Sequence, residues 1–355
     1  MNQLRCGFVG GGTIMRVHAD ALSKREDVTM AALADISPAV LNASADQFNI
    51  PGRYTSYKEM FEKEALDFVI ICVPNAFHLG ATLAGLGAGC HVLCEKPPAM
   101  NVNEAIQMAR AAEERNLRLA YGLHQRFMSV VETGRSYLEA GRLGEVYHAS
   151  IQMFRRRGIP GLGSWFTTKA IAGGGALIDV GVHEVDRAHY LMGQPKPIAA
   201  SAVTHARFGV DPENYNYLDM WATRVPGGPF DVEDFAVGII RFEGGASLVL
   251  QVSWAANTPD DSSLRVMGTK GGLYIDAAQT LKVITEDNGF NADITPQFKK
   301  QDVRSAQLAN FIDCIRDPEK KLRTDARQGI ILQHMLDAFY KSAETGREVR
   351  IDIDD

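Results

Sequence analysis

Asp179 and His183 stand four residues apart in the run Gly173-Gly174-Gly175-Ala176-Leu177-Ile178-Asp179-Val180-Gly181-Val182-His183, so on a helix their side chains share one face. An imidazole within reach of an alcohol is a natural base: it takes the hydroxyl proton as hydride leaves the carbon, and the alcohol becomes a ketone. The same pair is also what a half-buried helix would carry for packing alone, with Glu184, Asp186 and His189 covering its wet face.

A nucleotide is suggested much earlier. Val9-Gly10-Gly11-Gly12-Thr13-Ile14 reads as a strand running into a glycine turn, and Asp35 follows Gly12 by 23 residues at the end of the next apolar run. A dinucleotide pyrophosphate needs backbone N–H groups at a helix N-terminus and no side chain in its path, which Gly10, Gly12, Thr13 and Ile14 would supply. Asp35 would accept both ribose hydroxyls. With no Arg or Lys directly after it, a 2′-phosphate would meet an uncompensated carboxylate, which favours NAD over NADP. The third glycine position of the dinucleotide fingerprint should be small, and here it is Met15. Two further segments close apolar runs at the carboxyl ends of predicted strands, where open α/β sheets bind ligands: Cys94-Glu95-Lys96-Pro97-Pro98 and Pro74-Asn75-Ala76-Phe77-His78. Lys96 is then at a cleft edge and Asn75 in reach of a cofactor, while His78 reads equally as the first turn of a helix.

The elements that must position these residues fall into two patterns. From Leu4 to about Leu123, β-rich runs (Leu4–Val9, Val28–Ala34, Phe68–Val73, His91–Cys94, Arg118–Tyr121) alternate with amphipathic segments such as Asn103–Glu114, which predicts a parallel sheet with helices on both faces. After a linking helix at Gln125–Ala140, strands dominate: Val146–Met153, Phe235–Phe242, Ala246–Trp254, Ser263–Met267, Leu273–Asp276 and Leu281–Thr285 follow one another as an antiparallel meander. Helices at Ala176–Met192 and Ile330–Ser342 are the expected cover for its apolar face, leaving the other face for an oligomer. The fold class expected is an α/β Rossmann domain, residues 1–123, followed by an α+β domain with a large, mostly antiparallel open sheet, residues 124–355.

Composition bounds the function. A chain of 355 residues exceeds the size of one hydrophobic core. A net charge of −6 offers no basic field for a nucleic acid partner. The longest apolar run, Phe68–Pro74, is far shorter than the roughly twenty residues of a membrane span, and the first strand begins too early for a signal peptide, so no membrane partner and a cytoplasmic location are expected. The five cysteines read as reduced, and Cys90 and Cys94 beside His91 do not converge, so no metal is expected.

The glycine turn with His18, Asp35, Pro74-Asn75 with His78, Glu95-Lys96-Pro97, Arg126-Phe127 and the run from Gly174 to His183 together resemble the Gfo/Idh/MocA oxidoreductases over essentially the whole chain. The resemblance implies active-site residues from both domains. Pro74, Asn75, His78, Glu95 and Lys96 would join the glycine turn and Asp35 in binding the cofactor. Lys96 would orient substrate and support proton transfer, Asp179 would bind substrate hydroxyls, and His183 would be the general base. Arg126, Arg156, Trp165 and Tyr121 are the further substrate contacts expected. A sugar, cyclitol or glycoside is the implied substrate, with oxidation of a secondary hydroxyl such as C3 of a hexopyranoside, and a homo-oligomer through the second sheet. Two alternatives stay open: an enzyme that keeps NAD bound and runs a closed redox cycle, by hydride exchange between sugars or glycoside cleavage through a 3-keto intermediate, and a silent NAD or sugar sensor.

Overall fold

The computed structural model describes residues 3–353 apart from Asp219 and Trp221. The chain forms two compact units, one of residues 1–124 with Asp302–Ile330, the other of Gln125–Gln301 with Ile331–Asp355. A boundary at 123/124 therefore captures only the first crossing, because the chain later returns to the first unit. The reason is apolar: Leu308, Phe311 and Ile312 of the helix Val303–Arg316 are buried with Phe8, Phe68 and Ile70, and Phe311 meets Phe68 edge-on with ring centroids 5.8 Å apart.

In the first unit, β1 (Leu4–Val9), β2 (Val28–Ala34), β3 (Gly52–Tyr54), β4 (Phe68–Ile71), β5 (His91–Cys94) and β6 (Leu119–Tyr121) form one sheet in the order β3-β2-β1-β4-β5-β6. Every pair is parallel. Residues 68–71 of β4 are all buried, as expected of a strand covered on both faces. Only β3, three residues with no apolar run and with Arg53 exposed at the centre, escapes the sequence reading. The order reverses between β1 and β4, so the turns after Val9 and Ile71 flank the point at which such sheets bind ligands.

In the second unit, β7 (Val146–Phe154), β8 (Pro197–His205), β9 (Phe235–Phe242), β10 (Ser247–Ser253), β11 (Asp261–Gly268), β12 (Gly272–Ile275), β13 (Leu281–Asp287), β14 (Phe290–Ile294) and β15 (Val349–Arg350) build a nine-stranded sheet. Its order, β14-β13-β12-β11-β7-β10-β9-β8-β15, corrects the simple meander. β7 inserts between β11 and β10 and runs parallel to β10, while the other pairs are antiparallel. One face is apolar and covered: Ala149, Ile151, Leu248, Leu250, Leu264 and Val266 are buried, the helix Val182–Leu191 packs on β7, β10 and β11, and Phe339 of the helix Ala326–Thr345 lies against Gly238. Among the described residues no helix is long and apolar enough to cross a membrane.

Candidate active site

The glycine turn after β1 has a separate requirement at each glycine. Gly10 adopts φ +94°, and a Cβ there would lie 2.5 Å from the Cys72 carbonyl oxygen, so the turn can pass β4 only as glycine. Gly12 is the N-cap of the helix Thr13–Leu22, with no side-chain cap and no acid in the first turn, and a Cβ on it would meet nothing within 4 Å. The N–H groups of Thr13 and Ile14 lie in the uncapped first turn of this helix, a helix start of the kind that can receive a pyrophosphate. Met15 does not obstruct it, because the side chain is buried in the core with Phe8, Ala19 and Leu33. A large third residue is tolerated where the core accommodates it.

Asp35 reaches this turn: Oδ2 accepts the Gly11 N–H at 2.7 Å and Oδ1 the Ser37 N–H at 2.8 Å. Each oxygen keeps a second acceptor direction for a ribose hydroxyl. Asp35→Ala is expected to weaken NAD binding at least about tenfold while changing NADP binding far less, read by fluorescence titration of both nucleotides. Equal losses would remove Asp35 from the ribose.

On the other flank, Pro74 is extended and Asn75 opens a short 3₁₀ turn, Asn75–Phe77, with Asn75 buried. His78 does begin a helix, and its imidazole is wholly buried, Nδ1 lying 2.9 Å from the Pro97 carbonyl oxygen and Nε2 3.1 Å from that of Val73. Glu95 is equally enclosed. Oε1 takes His18 Nε2–H at 2.7 Å and an Arg304 N–H at 3.0 Å, and Oε2 takes the Lys96 peptide N–H at 3.2 Å. Burial pushes the Glu95 carboxyl up, but Arg304 and His18 outweigh it and hold it well below the usual carboxylate range. These two side chains, expected on the cofactor, are committed to the protein and shape the turn that carries Lys96, itself half-buried.

In the second unit, the run Gly174 to His183 is a helix with a wide first part, a π turn Leu177–Gly181 continuing as Val182–Leu191. Asp179 lies in the π turn and His183 in the α-helix, so the four-residue spacing remains within one turn. Asp179 is buried, and its Oδ2 accepts Trp254 Nε1–H at 3.0 Å from a fully buried indole. The helix start is held by Glu233, whose carboxylate accepts the Gly175 N–H, the Leu177 N–H and the Tyr340 hydroxyl, each at 2.9 Å. Burial pushes this carboxyl up. Close approach explains two of the glycines: a Cβ on Gly174 would strike the Tyr340 hydroxyl, and one on Gly175 the Glu233 carbonyl oxygen. Because Ser253 pairs with Phe235, Glu233, two residues before β9, and Trp254, just after β10, come out at the same end of the sheet and grip the same turn.

The expected substrate contacts divide. His183 is half-buried, Trp165 is half-buried and stacks on Phe166, and Arg156 is exposed with its peptide N–H on Asp260. Arg126 and Tyr121 are corrected. Arg126 is 1% exposed, its Nε is 3.0 Å from both oxygens of buried Asp186, and its guanidinium lies 5.0 Å from the Tyr190 ring centre, so it serves the interior of the unit. Tyr121 is fully buried against Gly329 in the first unit. Glu233, Trp254, Tyr340 and Arg304 carry no local motif and are found only in the fold; the acidic pair Glu233-Asp234 ahead of a strand was the one visible sign.

A Rossmann sheet with an open glycine turn, followed by a mostly antiparallel sheet bearing a fixed carboxylate and an imidazole, defines a nucleotide-dependent oxidoreductase. Residues 4–123 match the description "Oxidoreductase family, NAD-binding Rossmann fold" and residues 131–274 "GFO/IDH/MocA C-terminal domain", and the chain belongs to the Gfo/Idh/MocA family of oxidoreductases, with an NAD-binding Rossmann domain. It is 33% identical over 352 residues to a D-glucoside 3-dehydrogenase of Escherichia coli K12, covering 98% of this chain and 97% of that one. Among solved structures it resembles GenD2 from gentamicin A biosynthesis in complex with NAD, with TM-score 0.80, 27% identity and coverage of 99% and 97%. It likewise resembles an aldose-aldose oxidoreductase from Caulobacter crescentus complexed with glycerol, with TM-score 0.82, 26% identity and coverage of 98% and 100%.

Proposed function

We propose that the protein oxidises a secondary ring hydroxyl of a sugar or glycoside, at C3 of a hexopyranoside, with NAD as acceptor. The observation that carries this reading is the Trp254–Asp179 hydrogen bond: it fixes a buried carboxylate on the helix turn that also bears His183. A fixed acceptor one turn from an imidazole suits a polyhydroxylated substrate, since one hydroxyl can anchor on Asp179 while its neighbour gives its proton to His183. Similarity to a D-glucoside 3-dehydrogenase along nearly the full length supports C3 as the carbon.

His183 takes the hydroxyl proton, and Asp179 orients the adjacent hydroxyls. Lys96 supports proton transfer as a cation that stabilises developing alkoxide charge. Trp165 offers an apolar face to a sugar ring and Arg156 a polar outer contact. The N–H groups of Thr13 and Ile14 would hold the pyrophosphate and Asp35 the ribose; bound NAD supplies the hydride acceptor at C4 of its nicotinamide. The open face of the second sheet, where Val203, Met267 and Ile284 are exposed and Val237, Ile239 and Val249 are half-buried, is proposed as the surface joining copies of the chain. Five buried free thiols support a reducing compartment, the cytoplasm.

Methyl glucoside deuterated at C3 is expected to yield NADH one mass unit heavier, and the C2-deuterated compound unlabelled NADH. Label from another carbon would move the oxidised position, and no reduction with any sugar or glycoside would overturn the reading. The similarity to an aldose-aldose oxidoreductase supports a second reading, NAD retained through a closed cycle. Nucleotide that stays with the protein through gel filtration, reduces with one sugar and reoxidises with a second would favour it.

A further inference from the structure

We propose that Glu95 is a positioning residue: clamped by His18 and Arg304, it locks the turn bearing Lys96 to the helix whose N-terminus receives the pyrophosphate. The inference rests on the role given to Lys96 above, and it concerns residues of the first unit alone.

The Lys96 backbone is held on both sides. Its own N–H donates to Glu95 Oε2 at 3.2 Å, and the carbonyl of the next residue, Pro97, lies 2.9 Å from buried His78 Nδ1. Glu95 can hold one end only if its carboxylate is itself immobile, and three elements fix it. His18 comes from the middle of the Thr13–Leu22 helix and places Nε2 2.7 Å from Oε1. Arg304 comes from the start of the Val303–Arg316 helix and donates to the same oxygen at 3.0 Å. Gly122, just after β6, closes the fourth side: a Cβ there would lie 2.5 Å from Oε2, so only glycine lets the carboxylate stay where it meets the Lys96 peptide.

A merely structural ion pair would not need this arrangement. Burial lowers the His18 pKa, the Nε2 edge of the ring is spent on Glu95, and Nδ1 is left buried without a hydrogen-bond partner among the described residues. An unsatisfied ring nitrogen is tolerated in exchange for tying the nucleotide helix to Glu95. Arg304 supplies the compensating charge, its side chain 14% exposed against 6% for Glu95.

Four variants of the full-length protein separate positioning from stability: Arg304→Met, Glu95→Gln, the two combined, and Gly122→Ala. Each is measured for Tm, for Kd of NAD, for kcat and KM with the glycoside that the unaltered enzyme oxidises, and for acetylation of Lys96 by acetic anhydride, with the other lysines as internal standards. Each single charge variant leaves one buried charge alone and should lower Tm by roughly 5–10 °C, whereas the double variant removes both charges and should recover most of it. The proposal requires kcat to stay at least about tenfold down in the double variant despite recovered Tm, with KM and the Kd of NAD within about threefold, and Lys96 acetylation to rise at least about threefold. Gly122→Ala, with every charge kept, should show the same kcat and labelling changes. Activity and labelling that return to normal together with Tm in the double variant would overturn the proposal. If the unaltered protein oxidises nothing, the functional reading fails by itself, and the Lys96 labelling pattern still decides whether Glu95 holds that turn.

Discussion

His183→Asn is expected to lower kcat by about 10²–10⁴-fold while leaving the Kd of NAD within about twofold. Asn fills much of the same space and keeps hydrogen-bonding capacity, but it has no nitrogen that accepts a proton near neutral pH, so general-base catalysis is the property lost. The surroundings are built to survive the change. His183 is only half-buried, Asp179 is held by Trp254 Nε1–H, and the helix start is anchored through Glu233 and Tyr340. Tm should therefore move by no more than a few degrees. Stopped-flow or steady-state absorbance at 340 nm reads the rate. Unchanged kcat would take His183 out of the reaction, and a large parallel fall in Tm would mean that its work is packing.

Arg126→Met is expected to destabilise the protein by about 3–5 kcal/mol, the loss typical of stripping one partner from a buried ion pair. Arg126 and Asp186 are each 1% exposed, and the carboxylate would remain in the interior without its cation. Tyr190 adds to the cost, because its ring centre lies 5.0 Å from the Arg126 guanidinium as well as 4.8 Å from that of Arg135, and the first of these contacts is lost. The double variant Arg126→Met with Asp186→Leu should regain most of the stability, since no charge is left buried. Urea denaturation of the three proteins gives the comparison. A loss below about 1 kcal/mol for the single variant would contradict the geometry. A stable double variant whose substrate KM had risen tenfold would return Arg126 to the substrate contacts from which burial removes it.

Much of this molecule is legible along the chain because local rules suffice. The apolar runs of β1, β2, β5 and β9 appear with the bounds that the sequence suggests, since a buried strand needs an uninterrupted or alternating apolar segment and little else. β3 and β15 are too short to show any period, and β8 and β14 lie beyond the runs read as strands. The glycine turn, Asp35, the Lys96 segment and the Asp179–His183 pair were visible for a similar reason: a turn chemistry or a helical spacing places each of them without reference to distant residues.

What the sequence by itself determined is thus the alternation of elements, the family to which the motifs point, and the residues capable of the chemistry. Only the tertiary structure decided what holds those residues and which charged groups are withdrawn from ligands. Trp254 reaches Asp179 across 75 positions and Arg304 reaches Glu95 across 209, while Arg126, which looked available, is closed on Asp186 60 positions away. The physical reason is that a buried polar group must find its partner in three dimensions, and the partner is set by which strand edges and helices pack together and not by nearness along the chain.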